Sequence, residues 1–372
     1  MRVAPALVAV CIILFSGCVQ ETSQPEAPAV PEPPAEAPAA GQPEQIAGPG
    51  PAETLEGDSR SFYVGVVPNP KGGADADWED VVEAYNETKQ IAEVTMLWTN
   101  PGGIGQYNRI RETRAVEGAR LYGLEPVITL SFATIKEVPG EGLKYVIDAP
   151  EGVEPSLADP EFRRLYKMEA RSIADEFRPQ YMSLGNEIND YFILNPDEYP
   201  EYLTLFGETY SEIKEVSPET KVFIVFSYTH LIDNGQWGMI EDFDGRADLI
   251  GLTTYPWHHF ENPDGIGADY YSRLSRHTGK PIAFTEIGWP SAEDVGSSEM
   301  EQKRFLEVFL ERTDGMDMEM VNWLFLHDTL IEGVAGSVSD EAVGTVALRN
   351  MDGSKKAVHA VWFGLKEREY SE

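Results

Sequence analysis

From residue 58 onward, short apolar runs alternate with longer stretches of helical periodicity. Eight runs read as strands: Phe62–Val67, Ile91–Trp98, Pro126–Phe132, Tyr181–Gly185, Lys221–Ser227, Leu249–Thr254, Ile282–Thr285 and Val321–Leu326. They are continuous apolar runs more than strict alternations, as parallel strands are when both faces are covered. Helical patterns lie between them: Trp78–Gln90, Gln106–Tyr122, Glu161–Phe177, Asp197–Val216, a short piece at Trp237–Phe243, Ala268–Thr278, Glu299–Thr313 and Lys355–Lys366. Asp159-Pro160 and Ser298 with Glu301 carry helix-start chemistry. Eight strands, with helices between them, predict an α/β fold, a (β/α)8 barrel. An open doubly wound sheet shares the alternation, but VPNPKGG after strand one is not a GxGxxG phosphate loop.

The first 57 residues break the pattern. Arg2, an apolar run from Val3 to Phe15 and then Ser16-Gly17-Cys18 form an export signal over 1–17. The run is short for a membrane span. FSGC resembles a lipobox, which implies lipidation at Cys18 and a lipid anchor in the membrane. Residues 18–57 are rich in Pro, Ala and Glu without apolar periodicity, which predicts a disordered, semi-stiff tether. The single folded domain is therefore 58–372, and the expected location is the outer face of a cell membrane or secretion.

Charge narrows the partners. The formal net charge is −34, so nucleic acid is excluded as a partner for want of basic clusters. The only two cysteines, Cys11 and Cys18, exclude a Cys-based zinc site or disulfide framework in the folded part. No cofactor or metal is expected. His258 and His259 are adjacent, so on a strand they point to opposite faces. A monomer is expected.

Barrel chemistry sits where strands end. That mouth would gather Trp98, Thr99 and Asn100 from strand two and Ser131 from strand three. Strand four would add Asn186, Glu187 and Asn189, and strand five Tyr228 and His230. Strand six brings Tyr255, Trp257 and His258, and strand seven Glu286 and Trp289. Strand eight contributes Trp323, His327 and Asp328. Two glutamates among many aromatics suit sugar chemistry. Aromatic faces stack on apolar sugar faces, and glycosidic hydrolysis needs two carboxyl groups flanking the bond.

SLGNEIND (183–190) and FTEIGWPS (284–291) together resemble the two signatures of the clan A glycoside hydrolases. LWTNPGG is similar to a segment of arabinogalactan endo-β-1,4-galactanases, and TEIGWPS to β-1,3-glucanases of the same clan. The resemblance implies retaining hydrolysis of β-glycosidic bonds in a polysaccharide or oligosaccharide. In that reading Glu187 is acid/base and Glu286 nucleophile. It further implies Asn186 at the sugar 2-hydroxyl, Tyr255 on the nucleophile and Trp323 as sugar platform. Trp98, Asn100, Trp257, His258 and Trp289 complete the expected substrate-binding set. The run IAEVTMLWTN lacks the arginine that many clan members use to orient the nucleophile. That absence motivates the alternative, a non-catalytic glycan-binding lipoprotein on a degenerate barrel.

Overall fold

Eight parallel strands close on themselves, and every one is apolar on both sides. They are β1 (Tyr63–Val66), β2 (Val94–Trp98), β3 (Glu125–Thr129), β4 (Tyr181–Ser183), β5 (Lys221–Ser227), β6 (Leu249–Thr254), β7 (Ile282–Ile287) and β8 (Met318–Trp323). Each pairs with its neighbours in chain order, and β8 closes against β1. The computed structural model describes residues 59–98, 105–138, 142–329 and 340–371. The export signal, the tether, Cys18 and Asn100 lie outside the described residues.

Side chains divide cleanly between two layers. On β5, Phe223 and Val225 fill the lumen with Val94, Met96, Tyr181, Leu249, Ala283 and Met320. Val222, Ile224 and Phe226 face outward onto the helices. Both sets are buried, which is why the strands read as unbroken apolar runs.

The helices begin where local chemistry says they should. Asp77 accepts from the backbone of Glu79 and Asp80, opening Trp78–Ile91 with a capping box. Asp159 caps Pro160–Phe177, and Ser298 caps Glu299–Thr313. Two expectations are corrected. The helix expected over Gln106–Tyr122 breaks into Gln106–Thr113 and Ala115–Leu121 at Arg114, which is left-handed at φ 54. The helix expected over Ala268–Thr278 shrinks to a 3₁₀ turn, Ser272–Arg276. There the adjacent Tyr270 and Tyr271 are both buried, a demand an amphipathic helix with one apolar stripe does not meet.

One element was not anticipated. After β3 an antiparallel hairpin pairs Ala133–Val138 with Gly142–Ile147. Among the described residues no helix is long and apolar enough to cross a membrane.

Candidate active site

The site grows from the end of β4. Leu184 is held from outside: the Tyr202 hydroxyl donates to its carbonyl at 2.8 Å, and the Tyr166 hydroxyl lies 2.9 Å from the carbonyls of both Leu184 and Leu130. At Gly185 any Cβ would sit 2.6 Å from Ile188 Cγ2, so only glycine fits. Glu187 then adopts a left-handed conformation, φ 48 and ψ 42, and the helix Ile188–Leu194 starts immediately after it. A non-glycine residue there is strained by about 1–2 kcal/mol. Such strain persists where the surroundings over-determine it, commonly at functional sites.

Each polar residue of NEIND has a separate partner. The Asn186 amide donates to Glu286 Oε1 at 3.3 Å. Asn189, fully buried, grips the backbone of Ser227 at the end of β5: it accepts from the amide at 2.8 Å and donates to the carbonyl at 3.1 Å. Both carboxylate oxygens of Asp190 lie within 2.9 Å of His230 Nδ1. Glu187 itself accepts from the Thr253 hydroxyl on β6 at 2.6 Å.

Glu286 arrives from β7 through a bulge. Phe284 registers with Leu252 of β6, yet Glu286 registers with Thr253, so Thr285 is an extra residue. The bulge brings Glu286 round to the lumen. Its Oε2 accepts from the Tyr255 hydroxyl at 2.6 Å, and Trp98 adds a further side-chain hydrogen bond. Among the described residues the three hydrogen-bond partners of this carboxylate are all neutral donors.

The electrostatics separate the two acids. Burial is the first cause that raises the proton affinity of Glu187. The carboxylates of Asp190 and Glu286 add to it, against Thr253 and His230, and the result is a pKa of about 8. Burial also raises Glu286, but Tyr255, Asn186 and Trp98 all favour its ionised form. Glu187 is thus the group that keeps its proton at neutral pH. His230 is raised chiefly by its bond to Asp190.

Around this pair the expected site residues divide. Trp98, Tyr255 and Trp257 pack at the lumen cluster. The Tyr255 and Trp257 rings lie 4.9 Å apart, and half-buried His258 sits 5.2 Å beyond Trp257. Trp323 and Trp289 are corrections. Trp323 is fully buried in the outer layer, its indole N–H donating to the Val346 carbonyl at 2.7 Å and its ring packed on Trp362. Met320 of β8 faces the lumen, so Trp323, three residues on, faces away. Leu324 and Phe325 join the lumen cluster in its stead. Trp289 stacks on Phe305 and donates to Ser297, again in the outer core. Neither can meet a ligand in the mouth. His327 and Asp328 are satisfied loop ends, bonded to Asn69 and Lys356.

Sequence reading missed Thr253, Asp190 and Tyr145. Thr253 sits two residues before Tyr255, so strand alternation was the available signal. Asp190 lies one helical turn past Asn186. Tyr145, on the unanticipated hairpin, donates to the Asn186 carbonyl at 3.0 Å. Among the described residues no group of three or more His, Cys, Asp or Glu side chains is arranged to hold a metal.

The model of glycosyl hydrolase family 53 matches residues 165–334, a segment that includes both glutamates. The chain is a glycoside hydrolase. No curated protein matches it in sequence. Among solved structures it is similar in fold to GH5_18 from Streptomyces cattleya in complex with GlcNAc: 14% identity over 83% of this chain and 80% of that one, TM-score 0.59. It is likewise similar to the exo-β-1,4-mannosidase Op5Man5 from Opitutaceae bacterium strain TAV5, at 14% identity over 84% and 60% of the two chains, TM-score 0.62. A β-D-glucuronidase from Dictyoglomus thermophilum aligns at 13% identity over 83% and 50%, TM-score 0.54. These likenesses speak to the barrel of the hydrolase.

Proposed function

We propose that this glycoside hydrolase cleaves β-glycosidic bonds of an oligosaccharide or polysaccharide by double displacement, with Glu187 as acid/base and Glu286 as nucleophile. The observation that carries the reading is the unequal treatment of two carboxyls in one lumen, Glu286 buried and Glu187 half-buried. Glu286 is surrounded by three donors that favour its charge, while Glu187 is pressed by Asp190 and Glu286 to keep its proton.

In the first step a Glu286 oxygen attacks the anomeric carbon as Glu187 passes its proton to the leaving oxygen. In the second, Glu187, now a carboxylate, takes a proton from water. The water oxygen displaces Glu286 from the anomeric carbon, restoring both groups. Asn186 Oδ1 is buried without a partner, so it offers an acceptor to a sugar hydroxyl beside Glu286. Trp98 and Trp257 supply aromatic surface. The family 53 match and neighbours such as the exo-β-1,4-mannosidase support a β-linked substrate. The N-terminal sequence alone extends the proposal to export and lipidation at Cys18.

Incubation with a panel of β-linked polysaccharides and oligosaccharides, read by new reducing ends, tests hydrolysis. Proton NMR of the first-formed product tests stereochemistry. A β-anomer is expected. An α-anomer would mean inversion, and binding without new reducing ends would favour a glycan-binding barrel.

A further inference from the structure

The end of β6 and the residue just past it present two lumen hydroxyls two positions apart, and each is seated on a different carboxylate. Tyr255 donates to Glu286 Oε2 and Thr253 donates to Glu187 Oε1, both at 2.6 Å. One strand end therefore holds both acids in place. We propose that Thr253 is a positioning residue for Glu187, fixing Oε1 as the unprotonated oxygen so that the transferable proton sits on Oε2. This inference rests on the reading of Glu187 as acid/base.

Three observations carry it. First, Glu187 leaves β4 in a left-handed conformation at the head of a short helix, so its backbone is strained and its carboxyl needs an external anchor. Among the described residues Thr253 is the side chain that hydrogen-bonds that carboxyl. Second, Thr253 is 1% exposed, so water does not compete for its hydroxyl, which is committed to the carboxyl of half-buried Glu187. Third, threonine is stiff at χ1, and on a strand its hydroxyl is delivered in a set direction.

The chemistry suits a group that alternates between acid and base. A hydroxyl donating to Oε1 serves the neutral carboxyl, whose carbonyl oxygen accepts, and favours the carboxylate somewhat more, without the pull of a cation. A cation there would hold Glu187 ionised and defeat the proton donor. A methyl group would take away the side-chain partner of Oε1 and leave the carboxyl free to turn its proton away from the leaving oxygen.

Several other groups face Glu187. Asp190 lies on the helix that follows it, His230 on the helix after β5, Glu286 on β7, and Tyr145 on the hairpin. Tyr255 lies just past the end of β6. None of these is altered by changing Thr253, so a pH shift in the variant is assignable to the lost hydroxyl.

The test compares Thr253→Val, Thr253→Ser and wild type on two sets of β-glycosides of galactose, mannose and glucose. One set carries 2,4-dinitrophenol, which leaves without a proton, and the other 4-methylphenol, which needs one. Thr253→Val should lose about 10- to 100-fold in kcat/KM on the cresyl glycosides. It should stay within about threefold of wild type on formation of the glycosyl-enzyme from the dinitrophenyl ones, read from the pre-steady-state burst. Thr253→Ser should recover most of the loss. The alkaline limb of kcat/KM should move to higher pH in Thr253→Val, because a donor favouring the ionised form is gone.

Equal losses on both leaving groups, or no loss on either, would overturn the role of Thr253 while leaving the glycosidase intact. Wild type that turns over no member of either set would overturn the underlying reading as well. Should Thr253→Val fail to fold, Thr253→Ala takes its place, with a direct infrared titration of the Glu187 carboxyl in Thr253→Ala, Thr253→Ser and wild type. An unmoved carboxyl titration in Thr253→Ala would overturn the proposal.

Discussion

Ala283 and Glu286 both face the lumen although they stand three positions apart along β7. In a regular strand that spacing would put them on opposite faces. The extra residue at Thr285 reconciles the two. As a result the Glu286 carboxyl meets Tyr255 and Asn186, not the helices outside.

Removing the Tyr255 hydroxyl should disturb Glu286 alone. Tyr255→Phe keeps the ring against Trp257 and deletes the 2.6 Å bond. The expected loss is about 10- to 100-fold in kcat with little change in KM, since the ring surface remains. The acid limb of the pH profile should also move up, because a donor that favours the Glu286 carboxylate is lost. Steady-state kinetics across pH checks both parts.

Wild type should hold activity to about pH 8 and lose it above, as Glu187 gives up the proton it must donate. Glu187→Asp would move the carboxyl back from Thr253 and should lower kcat by about 100-fold. A pH–rate profile on a substrate with a poor leaving group is the measurement.

The same ionisation predicts a stability effect. Because the folded pKa of Glu187 is raised to about 8, the folded state holds a proton that the unfolded chain releases near 4.5. Stability from this group is complete below 4.5 and is lost as pH rises through 8. Glu187→Gln removes the titration. Relative to wild type, its stability should increase steadily between those values, by an amount on the order of a few kcal/mol. Urea unfolding at pH 5, 7 and 9 reads it out.

The tryptophans should sort by layer. Trp323→Ala empties a fully buried site in the outer core and should cost about 3–5 kcal/mol of stability. Trp257→Ala, at the half-buried edge of the lumen cluster, should instead raise KM severalfold and leave most of the stability. Thermal unfolding and kinetics on both variants separate the two outcomes.

Much of this architecture was legible in the chain. Lys221–Ser227 and Leu249–Thr254 coincide with their strands, because buried parallel strands advertise themselves as apolar runs bounded by polar turns. That same two-sided burial hid the facing of side chains. In MEMVNWLFL nothing marks which residues look inward, so Trp323 was placed in the mouth when it belongs to the helix layer. The bulge at Thr285 was equally silent, since FTEI carries no glycine to announce it and its one charge, Glu286, reads as the acid at the strand end. The hairpin did leave a signal: in the sequence, ATIKEV and LKYVI stand on either side of PGEG, a turn-type composition. The carboxylates themselves could be found because an acid at the end of an apolar run is costly without a purpose. Of their hydroxyl partners, Tyr255 was named through the family resemblance, whereas Thr253 was not, because threonine is an ordinary strand residue.

The central claim is that Glu286 forms a covalent bond to the sugar. A 2-deoxy-2-fluoro glycosyl fluoride of the sugar that the protein cleaves should accumulate that species, because fluorine slows its hydrolysis more than chemistry at the leaving group can offset. Peptide mass mapping should then find one fluorosugar on the peptide that contains Glu286, and none in Glu286→Gln. A turnover-competent protein that carries no adduct, or carries it on Glu187, would contradict the account.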